Sequence, residues 1–171
     1  MPIKCNLLIS VGELSARKNH QVVVKALNSI NDNNIYYVII GKGCLEYELK
    51  NLDNTGRLKL LGYRTDVVEL LHCSDLFVFP SLQEGLPVAL MEAISSGIAV
   101  ICSRIRGNLD LFDGDLRRMF YPHDIDEVKK LIVRVLKKHN ENRYATLSSI
   151  PTISFSDESI QKDMMAIYQS L

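Results

Sequence analysis

The sequence has no excess of either charge: 20 Lys and Arg are balanced by 20 Asp and Glu. A broad nucleic-acid interface needs a basic footprint, so no nucleic-acid partner is expected and any phosphate site must be local. Cysteine pairs are also missing. Cys5, Cys44, Cys73 and Cys102 are scattered, with no C-x-x-C and no histidine at ligand spacing, which argues against a metal site. Three of them adjoin or interrupt apolar runs, and all four are expected to be reduced, small core residues in a cytoplasmic protein. No apolar run reaches the ~18 residues of a spanning helix. The amino terminus shows no leader pattern, and nothing in the chain is low-complexity, repeated or linker-like.

What remains suits one domain over residues 1–171. The chain is 47% hydrophobic and 23% charged, and a domain of this size buries roughly 70% of its unfolded surface. Residues 6–12 (NLLISVG), 36–41 (YYVIIG), 58–62 (LKLLG), 76–80 (LFVFP) and 99–103 (AVICS) are short apolar runs that predict strands. A short sixth strand is expected over 119–121. Helical spacing occupies 20–30, 45–52, 66–73, 87–96 and 126–139, with a last helix over 158–171. Asp66 is placed as an N-cap. Pro87 sits in the first turn of its helix and Gly97 at its stop.

Strands that are apolar on both faces and alternate with helices predict an α/β domain with a doubly wound parallel sheet. Ligands of such sheets bind at the carboxyl ends of the strands. Gly12, Gly41, Gly62 and the 80–85 loop all fall at that edge, although a tight turn accounts for each glycine taken singly.

The segment QEGLPVALMEA, residues 83–93, holds the informative residues. Pro87 opens a helix whose first N–H groups face the crevice, and a helix start attracts anions. Gly85 lets a ligand approach the backbone. Glu92 stands among Val88, Ala89, Leu90, Met91, Ala93 and Ile94, where an unpaired carboxylate is expensive. It is held by a protein donor, turned to solvent, or kept for a ligand hydroxyl; the residues alone leave these open. Glu84, eight residues earlier, reads on its own as a solvated loop acid. Two acceptor carboxylates flanking a phosphate-binding helix start would suit a nucleotide sugar, with hydroxyls on both sides of a diphosphate.

The stretch FVFPSLQEGLPVALMEAISSGIAVICS resembles the C-terminal, donor-binding half of retaining glycosyltransferases of the GT-B fold, family 4. Glu84 and Glu92 match that family's E-x7-E motif. SVGELSARKNHQVVVKAL, VIIGKG and LKLLGYRTDVVELLHCSDLFVFPS follow its pattern too, so the likeness covers nearly the whole chain. The resemblance implies one Rossmann-like half of a GT-B enzyme, without the N-terminal acceptor half. It implies a UDP- or GDP-linked sugar as substrate and no cofactor or metal. Glu84 would bond hydroxyls of the transferred sugar. The backbones of Gly85, Leu86, Pro87 and Val88 would meet the sugar and diphosphate. Glu92 would hold the ribose diol, and Lys18 would neutralise the leaving diphosphate. Gly12 and Arg17 would also bind the donor, and Tyr63 and Arg64 would lie near the base. The product would be a cell-surface polysaccharide, such as a capsule, or a glycolipid, made by a hexosyltransferase peripheral to the membrane.

One position departs from the family: Glu13 stands where it usually has Arg, and a carboxylate there repels a diphosphate. Arg17 and Lys42 are the candidates to substitute. None of His20, His72, His123 and His139 is assigned a role, and Arg104 and Arg106 read as surface charge. Three other readings share parts of this crevice. A non-catalytic nucleotide-binding or partner module would bind without transfer. A sugar-nucleotide epimerase of the same architecture would need both halves. A dinucleotide-dependent oxidoreductase needs G-x-G-x-x-G after the first strand, whereas VGELSAR has one glycine and GKGCLE lacks the third.

Overall fold

The structure, a computed structural model, describes residues 5–112 and 115–141, without side-chain detail for 139–141. The helix expected over 158–171 lies outside the described residues. Six strands form one sheet: β1 (Asn6–Val11), β2 (Ile35–Ile40), β3 (Leu58–Gly62), β4 (Leu76–Phe79), β5 (Val100–Ser103) and β6 (Met119–Phe120). All pairings between them are parallel, in the order β3-β2-β1-β4-β5-β6. The helices are α1 (His20–Asn28), α2 (Glu46–Leu52), α3 (Val67–His72), α4 (Val88–Ser95), α5 (Arg106–Leu109) and α6 (Ile125–Glu141).

Successive strand residues point to opposite faces, and here both faces are covered. Leu8 packs with Val23 and Leu27 of α1 and with Ile132 and Leu136 of α6. Ile9 packs on the other side with Leu71 of α3 and with Leu90, Ala93 and Ile94 of α4. Each large apolar side chain buried this way contributes roughly 1.5–3 kcal/mol. The double coverage explains why the strands carry continuous apolar runs rather than alternation.

β1 runs beside both β2 and β4, so the connections leave it toward opposite faces and open a crevice past its carboxyl end. Register sets what borders that crevice. Asn6 pairs with Ile35 and Val11 with Ile40, so Gly12 and Gly41 stand side by side just beyond the strands. The Gly12 N–H donates to the Ile40 carbonyl at 2.9 Å, and the Gly41 N–H to the Gly62 carbonyl at 2.8 Å.

Three local expectations are corrected. Asp66 precedes α3 but makes no side-chain cap; its backbone (φ −96°, ψ 42°) is not extended. Its carboxylate instead takes the Arg64 guanidinium, with Nε at 2.8 Å. Of the four cysteines only Cys102 is a core residue, and Cys5, Cys44 and Cys73 are exposed. They lie just before β1, between β2 and α2, and just after α3, where the apolar runs stop. Burial pushes the Cys102 thiol up. Pro87 stands just before α4, not within its first turn.

Arg57 is an unheralded buried charge, 4% exposed. Its guanidinium donates to the carbonyls of Leu27 (2.6 Å), Ile30 (3.1 Å) and Asp32, closing the carboxyl end of α1. Helix carbonyl ends favour cations, which makes the burial tolerable. Among the described residues no helix is long and apolar enough to cross a membrane, and no cluster of three His, Cys, Asp or Glu could hold a metal.

Candidate functional site

Past β1 the chain makes a single 3-10 turn, Ala16–Lys18, before α1. Asn19 joins the two with φ 52°, the one non-glycine residue at positive φ among those described. Lys18 is sent back over the crevice floor. Its Cε would stand 3.2 Å from a Cβ placed on Gly12. Its Nζ lies 5.2 Å from the centre of the Phe79 ring and 2.7 Å from Glu84 Oε1.

Glu84 is therefore not a solvated loop acid. Its side chain is 6% exposed, and Arg17 Nη1 adds a second cation 3.3 Å from Oε2. Removing two charges from water costs several kcal/mol each, which their attraction largely offsets. Several bonds hold the loop in place. The Leu82 N–H donates to the Arg17 carbonyl at 2.8 Å, and Ser103 Oγ to the Ser81 carbonyl at 2.5 Å. Gly107 of α5 lies so close that a Cβ on it would stand 2.8 Å from the Glu84 carbonyl oxygen. The buried Asn108 amide donates to the Ser103 carbonyl at 2.9 Å.

The start of α4 offers fewer donors than expected. The Val88 N–H turns back to the Leu86 carbonyl at 3.0 Å, and those of Leu90 and Met91 go to the Pro87 carbonyl. The N–H groups of Gly85, Leu86 and Ala89 are left with no acceptor among the described residues. A Cβ on Gly85 would meet nothing within 4 Å, so packing does not require a glycine there. Glu92 is half-buried. It lies in the second turn of α4, about 6 Å along the axis from Val88. Its carboxylate has no hydrogen-bond or salt-bridge partner among the described residues.

Gly12, Arg17, Lys18 and Glu84 are thus brought together, with Gly85–Val88 and Glu92 on the adjoining segment. Tyr63 and Arg64 follow β3, two strand spacings from β1, or about 10 Å; the Tyr63 ring is exposed. Lys42 does not join the cluster but runs beside Gly62, with its charge near Glu46. Glu13 is exposed. Arg104 donates to the Tyr121 hydroxyl at 2.8 Å and lies over its ring.

Two buried polar residues lie beneath the site, Asn19 and His20, each 3% exposed; Asn19 follows Lys18 in the segment that resembles the family, whereas His20 carries no sequence signal beyond its polarity. His20 Nδ1 lies 3.1 Å from the Tyr37 hydroxyl, which meets Ser10 Oγ at 2.8 Å. Ser10 Oγ in turn donates to the Val78 carbonyl. His20 Nε2 has no partner in hydrogen-bonding geometry. Burial lowers the His20 pKa from 6.5 to about 4; the nearby Glu13 carbonyl opposes this and the Lys18 charge adds to it. Above pH 6.5 the ring is neutral in both states and contributes no pH dependence. Between 6.5 and about 4 the unfolded chain takes up a proton that the folded one refuses, so stability falls as pH falls. The loss is about 3 kcal/mol in total, of which about 2 kcal/mol has gone by pH 5. Urea midpoints at pH 7 and pH 5 should show this fall in the wild type and a much smaller one in His20→Gln.

Comparison with known proteins adds to this geometry. Residues 2–148 match the family described as glycosyl transferases group 1. Over 138 residues, 73% of the chain, it is 40% identical to the UDP-Gal:alpha-D-GlcNAc-diphosphoundecaprenol alpha-1,3-galactosyltransferase of Escherichia coli. The match takes in 35% of that enzyme, so the chain spans about a third of its relative's length. The fold is shared with the catalytic domain of the cholesterol-alpha-glucosyltransferase of Helicobacter pylori, with TM-score 0.75 and 24% identity over 86% of this chain and 95% of that one. Anabaena HepE, solved with UDP and glucose, gives TM-score 0.74 and 20% identity over 87% of this chain and 43% of its own.

Proposed function

The chain belongs to the glycosyl transferases group 1 family, and from that premise we propose that it is the donor-binding unit of a retaining, family 4 hexosyltransferase of the GT-B fold. It binds a nucleoside diphosphate-sugar in the crevice past β1 and β4. The observation that carries this reading is Glu92, a half-buried carboxylate without a partner, on the helix that opens at the crevice. A ribose diol would satisfy it with two charge-assisted hydrogen bonds.

The other groups fit around that anchor. From β4 to β3 the sheet edge spans three strand spacings, roughly 14 Å, which suits a sugar, diphosphate, ribose and base laid across it. Glu84 accepts from the sugar hydroxyls, and Gly85, which packing leaves free to be larger, admits the sugar to the backbone. Lys18, Arg17 and the N–H groups of Gly85, Leu86 and Ala89 face the diphosphate. As the bond to the sugar breaks, charge grows on the leaving phosphate, and fixed cations aimed there stabilise it most. These groups perform the neutralisation without a metal in this reading. The base lies toward Tyr63 and Arg64. UDP is favoured over GDP because the E. coli relative uses UDP-Gal and HepE was solved with UDP.

The acceptor belongs on an N-terminal half, and the E. coli relative's diphosphoundecaprenol substrate makes a lipid-linked glycan the acceptor class. In this reading the whole enzyme works at a membrane surface and makes a polysaccharide or glycolipid, which the lipid-linked acceptor of that relative supports. Glu13, exposed and next in sequence to Gly12, is the feature that favours a non-catalytic module. Calorimetric titration with UDP, GDP and NAD tests the reading. Saturable UDP binding, with NAD silent, is expected; a preference for NAD, or silence toward both diphosphates, overturns it. Transfer to a lipid-linked acceptor by the chain alone should be little or none.

A further inference from the structure

We propose that Asn19 is a positioning residue that fixes Lys18 in the crevice, an inference that rests on the donor-binding reading of the site. The Asn19 amide is buried and donates to two prolyl carbonyls, Pro80 at 3.1 Å and Pro122 at 2.8 Å. Pro80 follows β4 and begins the loop that carries Glu84. Pro122 lies between β6 and α6. One side chain therefore ties the residue after Lys18 to the carboxyl ends of two strands that reach it from distant parts of the sequence.

The backbone of Asn19 does related work. Its left-handed φ of 52° turns the chain from the 3-10 segment into α1, and this reversal directs Lys18 back over Gly12 and Phe79. Asparagine tolerates that conformation better than most residues with a side chain. Glycine would tolerate it too but has no amide to bond either carbonyl. The two contributions can thus be separated: glycine keeps the turn and loses the tie. Without the tie, the Ala16–Lys18 turn is joined to the Glu84 loop by the Leu82 N–H bond to the Arg17 carbonyl, by the half-exposed Arg17 guanidinium on Gln83 and Glu84, and by the Lys18–Glu84 pair itself. Lys18 is then free to sample positions away from the Phe79 face and away from a bound diphosphate.

The test compares wild type, Asn19→Gly, Asn19→Asp, Lys18→Ala and Lys18→Ala/Asn19→Gly. Asn19→Asp keeps the left-handed preference but turns an acceptor toward both carbonyls, so it tests the donors if the glycine variant proves too unstable. Two quantities are read beside the melting temperature: UDP affinity by calorimetry, and the NMR shift of the Lys18 ε-methylene, which the Phe79 ring displaces and which Lys18→Ala identifies. We expect Asn19→Gly to return that resonance to the ordinary lysine position and to weaken UDP about tenfold, the worth of about 1.4 kcal/mol. In the Lys18→Ala background the same change should cost no more than about twofold, because a residue acting through Lys18 is non-additive with it. An unmoved Lys18 resonance with wild-type affinity overturns the proposal. So does an equal loss of affinity in both backgrounds, which would mark Asn19 as merely structural. Wild type that ignores UDP sinks the donor reading instead, and the Lys18 resonance still shows whether Asn19 holds the side chain.

Discussion

Gly41→Ala should cost about 3–5 kcal/mol of stability, a large share of the roughly 5–15 kcal/mol that holds a domain folded. A Cβ at Gly41 would stand 1.9 Å from the Gly12 carbonyl oxygen and 2.8 Å from its carbon. Both obstacles are backbone, so neither can rotate away. The backbone at Gly41 also has φ 144°, which side-chain-bearing residues rarely adopt. Overpacking of this kind costs about 1–3 kcal/mol and backbone strain about as much again. Relief requires β1 and β2 to part where Gly12 and Gly41 meet, which displaces the floor under Lys18. Urea denaturation checks the size of the loss. Gly85→Ala is the control, with stability expected within about 0.5 kcal/mol of wild type, since no atom lies within 4 Å of the added Cβ. A Gly41→Ala protein as stable as Gly85→Ala would show that the two loops yield more easily than their packing indicates.

That contrast shows how much the sequence could reveal. The strand-terminal glycines were visible as punctuation, and the apolar runs between them gave the alternation of strands and helices, because burial on both faces leaves a direct mark on composition. The same letters could not say which glycine was locked. Gly41 and Gly85 look alike in sequence, and only the register that sets Gly12 against Gly41 separates them. The candidate site divides in the same way. Lys18, Glu84 and Glu92 were legible through a spaced motif that survives as local sequence. Gly107 and the two bonds of the Asn19 amide were not, because their partners lie far along the chain: Asn19 reaches Pro80 and Pro122, and Gly107 packs on Glu84. The burial of Arg57 leaves no mark in the sequence for a related reason: its partners are carbonyls, which every residue has. Adjacency to an apolar run does not make a cysteine part of the core: Cys5, Cys44 and Cys73 stand just outside the strands and helices they adjoin.

Glu92→Ala should weaken UDP binding by at least about a hundredfold while leaving the fold as stable as before, or slightly more so. In the free protein the carboxylate has no hydrogen-bond or salt-bridge partner among the described residues, so its removal breaks no bond. Alanine is also the better helix former. The stability change should therefore fall within about 0.5 kcal/mol. Binding responds differently. Each hydrogen bond from a hydroxyl to a charged acceptor contributes about 1.5–3 kcal/mol, and a diol makes two, so truncation leaves the ribose bound without its strongest contact. The opposite sensitivities of stability and affinity separate a carboxylate kept for a ligand from one kept for the fold. A residue serving the fold would lose melting temperature on truncation and leave UDP affinity nearly untouched. Glu84→Ala is the informative companion. It also deprives the sugar of an acceptor, but it strands Lys18 and Arg17 without their partner. It should therefore lower the melting temperature, and the freed cations should hold the diphosphate of UDP at least as tightly as before. Equal behaviour of the two variants would mean that both carboxylates serve the same structural purpose, and the division of the crevice into a paired and a waiting acid would be wrong.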